Sequence, residues 1–204
     1  MKITRERFRL PKSVTKKDAA ELLWRYYQTE VYNRHEICEY FSALQEVIYD
    51  IADYLTSDND KTGIILMGRY GNGKTTMVRA IQKMVKDFAH DYAFSATSTN
   101  FGIDFYSACE IGEYFRKNGK GKLFDTELLA IDDLGVEATE EMNYGTIISP
   151  IRRILEYRYE NRLFTIITTN LTPGDIREKY GERIADRFND MMHKVNFSKI
   201  ESYR

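Results

Sequence analysis

A glycine-rich run, Gly68-Arg69-Tyr70-Gly71-Asn72-Gly73-Lys74-Thr75, lies between an apolar stretch and an amphipathic one, and that order constrains the fold more than anything else in the chain. Gly68 and Gly73 stand five apart and Lys-Thr follows, which is the Walker A pattern. Gly63-Ile64-Ile65-Leu66-Met67 before it reads as a short buried strand. Residues 76–86 after it read as a helix with Met77, Ala80, Ile81, Met84 and Val85 on one face. Strand, loop and helix in that register form a phosphate cradle. Glycine lets the backbone curl and approach an anion where a side chain would block it. Successive N–H groups and the helix N-terminus then face the negative charge. Lys74 places a cation on the β/γ oxygens, and the Thr75 hydroxyl is a ligand for Mg²⁺. The competing reading is a glycine-rich turn that enters a helix by chance. The register of all four parts favours a nucleoside triphosphate site, expected here to be ATP, on Gly68, Arg69, Tyr70, Gly71, Asn72, Gly73, Lys74, Thr75 and Thr76.

With 204 residues the chain suits one α/β domain with a small appendage. Hydrophobic content of 43% and charged content of 30% are those of an ordinary globular protein. No apolar run approaches the length of a membrane span, and the polar N-terminus is not that of a signal peptide. Cys38 and Cys109 are far apart and form no metal-ligand spacing, so a reducing cytoplasm is the expected location. The net charge of −1 argues against a surface coated for nucleic acid, yet the charge is uneven. Lys2, Arg5, Arg7, Arg9, Lys12, Lys16 and Lys17 face Glu6 alone in residues 1–17, and residues 18–55 are acidic. Residues 1–32 are therefore expected to be a basic arm and helix, either a partner-binding extension or a solvated terminus. Residues 33–204 form the main domain.

Thr15-Lys16-Lys17-Asp18 has capping-box form and opens a helix with Ala20, Leu23, Tyr27 and Val31 on one face. Asn33-Arg34-His35-Glu36 can cap a second helix, which carries Ile37, Phe41, Leu44, Ile48, Ile51 and Leu55. Beyond the glycine-rich loop, residues 92–98 read as a strand, 106–117 as a helix and 118–122 as a loop. Residues 128–132 read as a buried strand, and 139–161 as mostly helical with a restart at Ser149-Pro150. Residues 164–168 are a further buried strand, followed by a helix capped by Thr172 and ending at Tyr180, another from Gly181 to Phe188, and a last strand at 194–197. Strands alternating with helices predict a parallel sheet covered on both faces.

Leu128-Leu129-Ala130-Ile131-Asp132-Asp133 supplies the acid. Its four apolar residues bury the strand, and its C-terminal end delivers carboxylates where open α/β sheets bind ligands. Asp132 is expected to help hold Mg²⁺ through coordinated water. Asp133 is the group expected to orient or deprotonate an attacking water. Phe164-Thr165-Ile166-Ile167-Thr168-Thr169-Asn170 ends in polar residues beside the first strand, so Asn170 is expected to contact the γ-phosphate or that water.

These segments resemble AAA+ ATPases, and more narrowly the DnaC-type helicase loaders and IstB-type transposition helper ATPases. The tandem Asp-Asp before Leu134-Gly135 supports the narrower likeness. So do Arg158, Tyr159 and Asn161 before the polar strand, and Gly181-Glu182-Arg183-Ile184-Ala185-Asp186-Arg187-Phe188 after it. The likeness covers roughly residues 36–204. It implies a P-loop NTPase fold: a parallel five-stranded sheet flanked by helices, with a short N-terminal helical extension. Only fourteen residues follow Asp190, so no C-terminal helical lid domain is expected. It also implies that Arg187 projects into the nucleotide site of a neighbouring subunit in a nucleotide-dependent oligomer, with Arg183 as assistant. The alternative for both arginines is ion pairing with Glu182 or Asp186. Arg69, Tyr70 and Asn72 within the loop, and Thr76 after it, depart from the usual choices of the loaders.

The implied partners are a replicative helicase or a transposase, with single-stranded DNA as a further ligand and no membrane. Arg116, Lys117, Lys120 and Lys122 beside Tyr114 and Phe115 are the ingredients of a strand-binding surface, with Arg152 and Arg153 as a second candidate. A solvated basic loop is the alternative. A helicase loader is the expected function. A transposition helper, a generic P-loop ATPase and a nucleotide-gated binding module remain as competing readings.

Overall fold

The computed structural model describes residues 7–34, 38, 41–88, 102–138, 141–143 and 146–200, with the backbone alone over 141–143 and 146–148. In chain order the elements are α1 (Lys16–Tyr32), α2 (Ser42–Thr56), β1 (Gly63–Met67), α3 (Lys74–Asp87), β2 (Asp104–Ser107), α4 (Ala108–Asn118), α5 (Gly121–Asp125) and β3 (Leu128–Leu134). They continue with β4 (Glu141–Asn143), β5 (Thr146–Ile148), α6 (Pro150–Glu160), β6 (Phe164–Thr169), α7 (Pro173–Tyr180), α8 (Glu182–Met191) and β7 (Met192–Asn196). The expected strand at 92–98 lies outside the described residues, as do His35 and Glu36 of the cap expected at 33–36; Asn33 instead closes α1, and the second helix begins later than expected, at Ser42 with Phe41 as its N-cap.

Three helices begin with reciprocal caps written in the sequence. Thr15 and Asp18 open α1, Ser107 and Glu110 open α4, and Thr172 and Asp175 open α7; in each pair both side-chain-to-backbone bonds form. The Ser107 cap corrects the start expected for the helix at 106: Tyr106 belongs to β2, and the helix begins at Ala108. Pro150 occupies the first turn of α6, as the restart at Ser149-Pro150 implied. The residues just before it are not helical as expected, because β4 and β5 form an antiparallel two-stranded ribbon there. The expected loop at 118–122 gives way at Gly121 to the short α5.

The parallel five-stranded sheet has the order β2-β3-β6-β1-β7, with helices packed against it. Strand β1 pairs with β6 in parallel, β6 with β3, and β3 with β2. The chain divides into two compact units. The sheet strands β1, β2, β3 and β6, with α4 to α8, belong to the unit built on Asp60–Met67 and Asp104–Lys194. Its core joins Ile65, Leu129, Ile131 and Ile167 of the sheet to Ile111, Phe115, Ile154, Ile184 and Phe188 of the helices, all 5% exposed or less.

Arg158 of α6 is fully buried in this unit. It donates to Thr165 Oγ1 at 2.8 Å and to the carbonyls of Thr126 (2.7 Å), Phe164 (2.6 Å) and Glu127 (3.3 Å). The planar guanidinium thereby clamps the chain entering β3 to the start of β6.

The second unit comprises Phe8–Asn59, Gly68–Ile103 and Val195–Arg204. Here α1 packs on both α2 and α3. Leu23 and Tyr27 of α1, Leu44 and Ile51 of α2, and Met77 and Ile81 of α3 are completely buried. An ion pair of 2.5 Å joins Glu30 of α1 to Lys83 of α3. The helix of the N-terminal extension is thus built into the unit that carries the glycine-rich loop. Among the described residues no helix is long and apolar enough to cross a membrane.

Candidate active site

The loop at 68–75 curls through two left-handed glycines, Gly71 (φ 80°) and Gly73 (φ 85°). Gly73 is the N-cap of α3, and its carbonyl accepts the first helical bond from Met77 N–H at 2.9 Å. Two independent constraints demand glycine at that position. The left-handed φ disfavours any side chain, and a Cβ would lie 2.2 Å from the Tyr27 hydroxyl of α1. Gly68 is constrained by contact alone, since a Cβ there would meet Asn72 Nδ2 at 2.6 Å and Phe197 Cβ at 2.8 Å.

Lys74 is 5% exposed, and its Nζ donates to the Gly68 carbonyl (3.0 Å), the Arg69 carbonyl (2.7 Å) and Asn72 Oδ1 (3.1 Å). Asn72 in turn donates Nδ2 to the Phe197 carbonyl at 2.8 Å. Asn72 therefore bridges the loop's lysine to a backbone group far along the chain. Arg69 and Tyr70 are exposed at the loop's tip, Thr75 is partly buried and Thr76 is buried. The first N–H groups of α3 have no acceptor within the helix, so the loop concentrates positive potential at one point.

The acid pair lies in the other unit, at a bulge. Strands β3 and β6 run in register from Leu128↔Phe164 to Ile131↔Ile167, and the next partners are Leu134 and Thr169. One extra residue in β3 is accommodated there, and Asp133 takes it up with a left-handed φ of 53°. Aspartate tolerates that region better than most residues, but the conformation persists only where surrounding bonds fix it. Thr168 supplies two of them. Its hydroxyl donates to Asp132 Oδ1 at 2.6 Å and accepts from Asp133 N–H at 2.8 Å. Thr169 adds a third, donating to the Leu134 carbonyl at 2.6 Å. Both threonines are fully buried.

Neither threonine was assigned a role from sequence; the available signal was polar residues at the end of an otherwise apolar strand. Asp132 is 8% exposed, and Asn170 follows Thr169 directly and is partly buried. Met67, Thr169 and Leu134 are register partners at the C-terminal ends of β1, β6 and β3.

The turn that follows β3 carries a second set of bonds. Glu137, 7% exposed, accepts from Gly135 N–H at 2.8 Å and from the Tyr180 hydroxyl of α7. Lys179 donates to the Gly135 and Glu137 carbonyls. Burial, then the bond to Glu137, pushes the Tyr180 phenol far above its usual range, so it stays a donor at any physiological pH.

On α8, Arg187 lies against α6. Its Nη2 donates to Glu160 at 3.0 Å, Nη1 is 3.6 Å from Glu156, and the guanidinium covers the Tyr159 ring at 4.8 Å. Its side chain is 12% exposed, whereas that of Arg183 is 66% exposed and pairs with the same two carboxylates at 3.5 and 3.8 Å. The ion pairing is thus with α6 rather than with Glu182 or Asp186. Asp186 is exposed, and Glu182 pairs with Arg177 at 2.7 Å.

Arg116, Lys117, Lys120, Lys122, Arg152 and Arg153 are exposed. Phe115 is a core residue, 5% exposed and covered by Arg153 at 5.9 Å, so it is not available to stack on a base. Tyr114 is partly buried, with its hydroxyl against Gly121.

By sequence the chain matches no protein-family model and no curated protein. Its fold does match solved structures. A DnaC helicase loader superposes with a TM-score of 0.60 at 20% identity, over 88% of this chain and 98% of the loader. A primosome component from Streptococcus pyogenes serotype M3 gives 0.52 at 19% identity, over 79% and 83% of the two chains. AMPPCP-bound DnaA from Aquifex aeolicus gives 0.51 at 16% identity, over 77% of this chain and 48% of DnaA. The α/β fold with its parallel five-stranded sheet is the fold of these structures.

Proposed function

We propose that this chain is an ATP-hydrolysing factor of DNA replication, of the helicase-loader kind, which works as a nucleotide-dependent assembly. The loop at 68–75 carries the reading, because its left-handed glycines and buried lysine open α3 in a chain with the fold of a DnaC loader. Backbone N–H groups of the loop and of α3 take the phosphates, and Lys74 exchanges its carbonyl partners for phosphate oxygens. Thr75 and Asp132 are the residues to hold Mg²⁺, which neutralises phosphate charge when bound.

Asp133 orients or deprotonates the attacking water, and Asn170 holds that water or the γ-phosphate. Arg187, with Arg183, serves the site of a neighbouring copy. The exposed cations at 116–122 and 152–153 offer phosphate contacts to single-stranded DNA. A helicase is preferred to a transposase as partner because the solved structures of the same fold are replication proteins.

Nucleotide binding and phosphate release, measured side by side, test the roles. Lys74→Ala should lose ATP binding. Asp133→Asn should keep it within about twofold while turnover falls on the order of 10²–10⁴. Equal loss of binding in both variants would refute the division of roles. Stimulation of turnover by single-stranded DNA separates a replication factor from a small-molecule ATPase.

A further inference from the structure

The acid pair and the arginine helix are tied together by Glu137, a buried carboxylate that no part of the hydrolytic chemistry uses. The turn at 133–137 is short and conformationally demanding. Asp133 has φ 53° and Gly135 φ 114°, and the Val136 N–H closes back on the Asp133 carbonyl at 3.2 Å. A Cβ on Gly135 would lie 2.8 Å from Leu171, the residue after Asn170, so the turn sits directly on the end of the polar strand.

Such a turn needs bonds from outside itself, and α7 supplies them. Tyr180 donates to one oxygen of Glu137, the Gly135 N–H donates to the other, and Lys179 binds two carbonyls of the turn. Tyr180 is the last residue of α7, and Gly181 (φ 86°) is the N-cap of α8, which carries Arg183 and Arg187. Helices α7 and α8 pack on each other across Gly181, and Ile176 and Tyr180 of α7 share a core with Ile184 and Ala185 of α8, so the hydroxyl that holds Glu137 and the α8 arginines stand on one packed pair of helices.

We propose that Glu137 and Tyr180 are positioning residues that couple the seat of the α8 arginines to the conformation of Asp133. On this assignment a second copy that engages α8 changes the hydrolytic acid and not only the charge around the phosphate. Linkage makes the coupling reciprocal for binding: a change at the Asp133 turn alters how α8 is held. The assignment rests on the proposed hydrolytic role of Asp133, but the contact network behind it can be tested apart from that role.

Tyr180→Phe removes one hydroxyl and keeps the ring, and Glu137→Gln keeps the volume. Expected for both are a melting temperature lowered by a few degrees, since one buried bond is lost, ATP affinity within about twofold, and turnover lowered about tenfold or more. Hydrogen exchange should show faster exchange of the amides at 134–136 in Tyr180→Phe, with the rest of β3 unaffected. Unchanged turnover, or a parallel fall of melting temperature, affinity and turnover, would overturn the proposal. Unchanged exchange in the turn would overturn it whether or not the protein hydrolyses ATP. Absence of turnover in the wild-type protein with altered exchange in the variant would instead count against the ATPase reading and leave the coupling standing.

Discussion

Thr168 does two jobs with one oxygen, since its hydroxyl donates to Asp132 Oδ1 and accepts from the Asp133 amide. The acceptor bond holds the extra residue of the bulge in place, and the donor bond turns the Asp132 carboxylate. Thr168→Val keeps the shape and removes both, leaving a buried N–H and a carboxylate oxygen each short of a partner. Unsatisfied buried groups cost about 1–3 kcal/mol. Urea denaturation should show a loss of that order, and turnover should fall while Thr168→Ser retains most of both. A Val variant as stable and active as wild type would remove Thr168 from the site. The loop at 68–75 and its place at the start of α3 were legible because that pattern lies within a few consecutive residues of chain. Thr168 was not, because its partners lie 35 and 36 residues away and nothing in a Thr-Thr pair announces which strand faces it. Glu137 and Tyr180, 43 residues apart, were hidden for the same reason.

Among the elements, α6 is held by Arg158, the largest fully buried side chain in the described structure. Its charge meets three carbonyl dipoles and a hydroxyl, and its place in the core depends on those bonds being made. Arg158→Met fills similar space but orphans the carbonyls at the entry to β3 and β6. A loss of at least about 1–3 kcal/mol, the cost of an unsatisfied buried acceptor, is expected in chemical denaturation; a loss below about 1 kcal/mol would mean that water takes over the acceptors. The long elements were readable because apolar periodicity and caps act locally: α1, α3, β1, β3 and β6 fall where pattern and capping put them. The short ones were not. Glu140, Glu141 and Met142 are helix formers, and a three-residue strand such as β4 has no period to contradict them. The helix α5, five residues that begin at Gly121 just after Gly119, is likewise too brief for its pattern to outweigh two glycines.

For the molecule as a whole, the proposed assembly makes a demand on Arg187. Held by Glu156, Glu160 and the Tyr159 ring, it must leave α6 to serve a second copy, or act there with Arg183. Mixing Arg187→Ala with Lys74→Ala should recover turnover that neither protein has alone, because one interface then combines an intact loop with an intact arginine. Arginines supplied in trans raise rates on the order of 10³–10⁵ elsewhere, so partial recovery is measurable. No recovery at any ratio would count against the arrangement. The bond from Asn72 to the Phe197 carbonyl carries a different consequence, one of timing. A ribosome adds Lys74 and its glycines long before it adds the residue whose carbonyl orders Asn72. Closing that long contact is also entropically slow. The loop is therefore written early and finished late, and a growing chain does not hold a fully formed nucleotide cradle until its synthesis has passed Phe197.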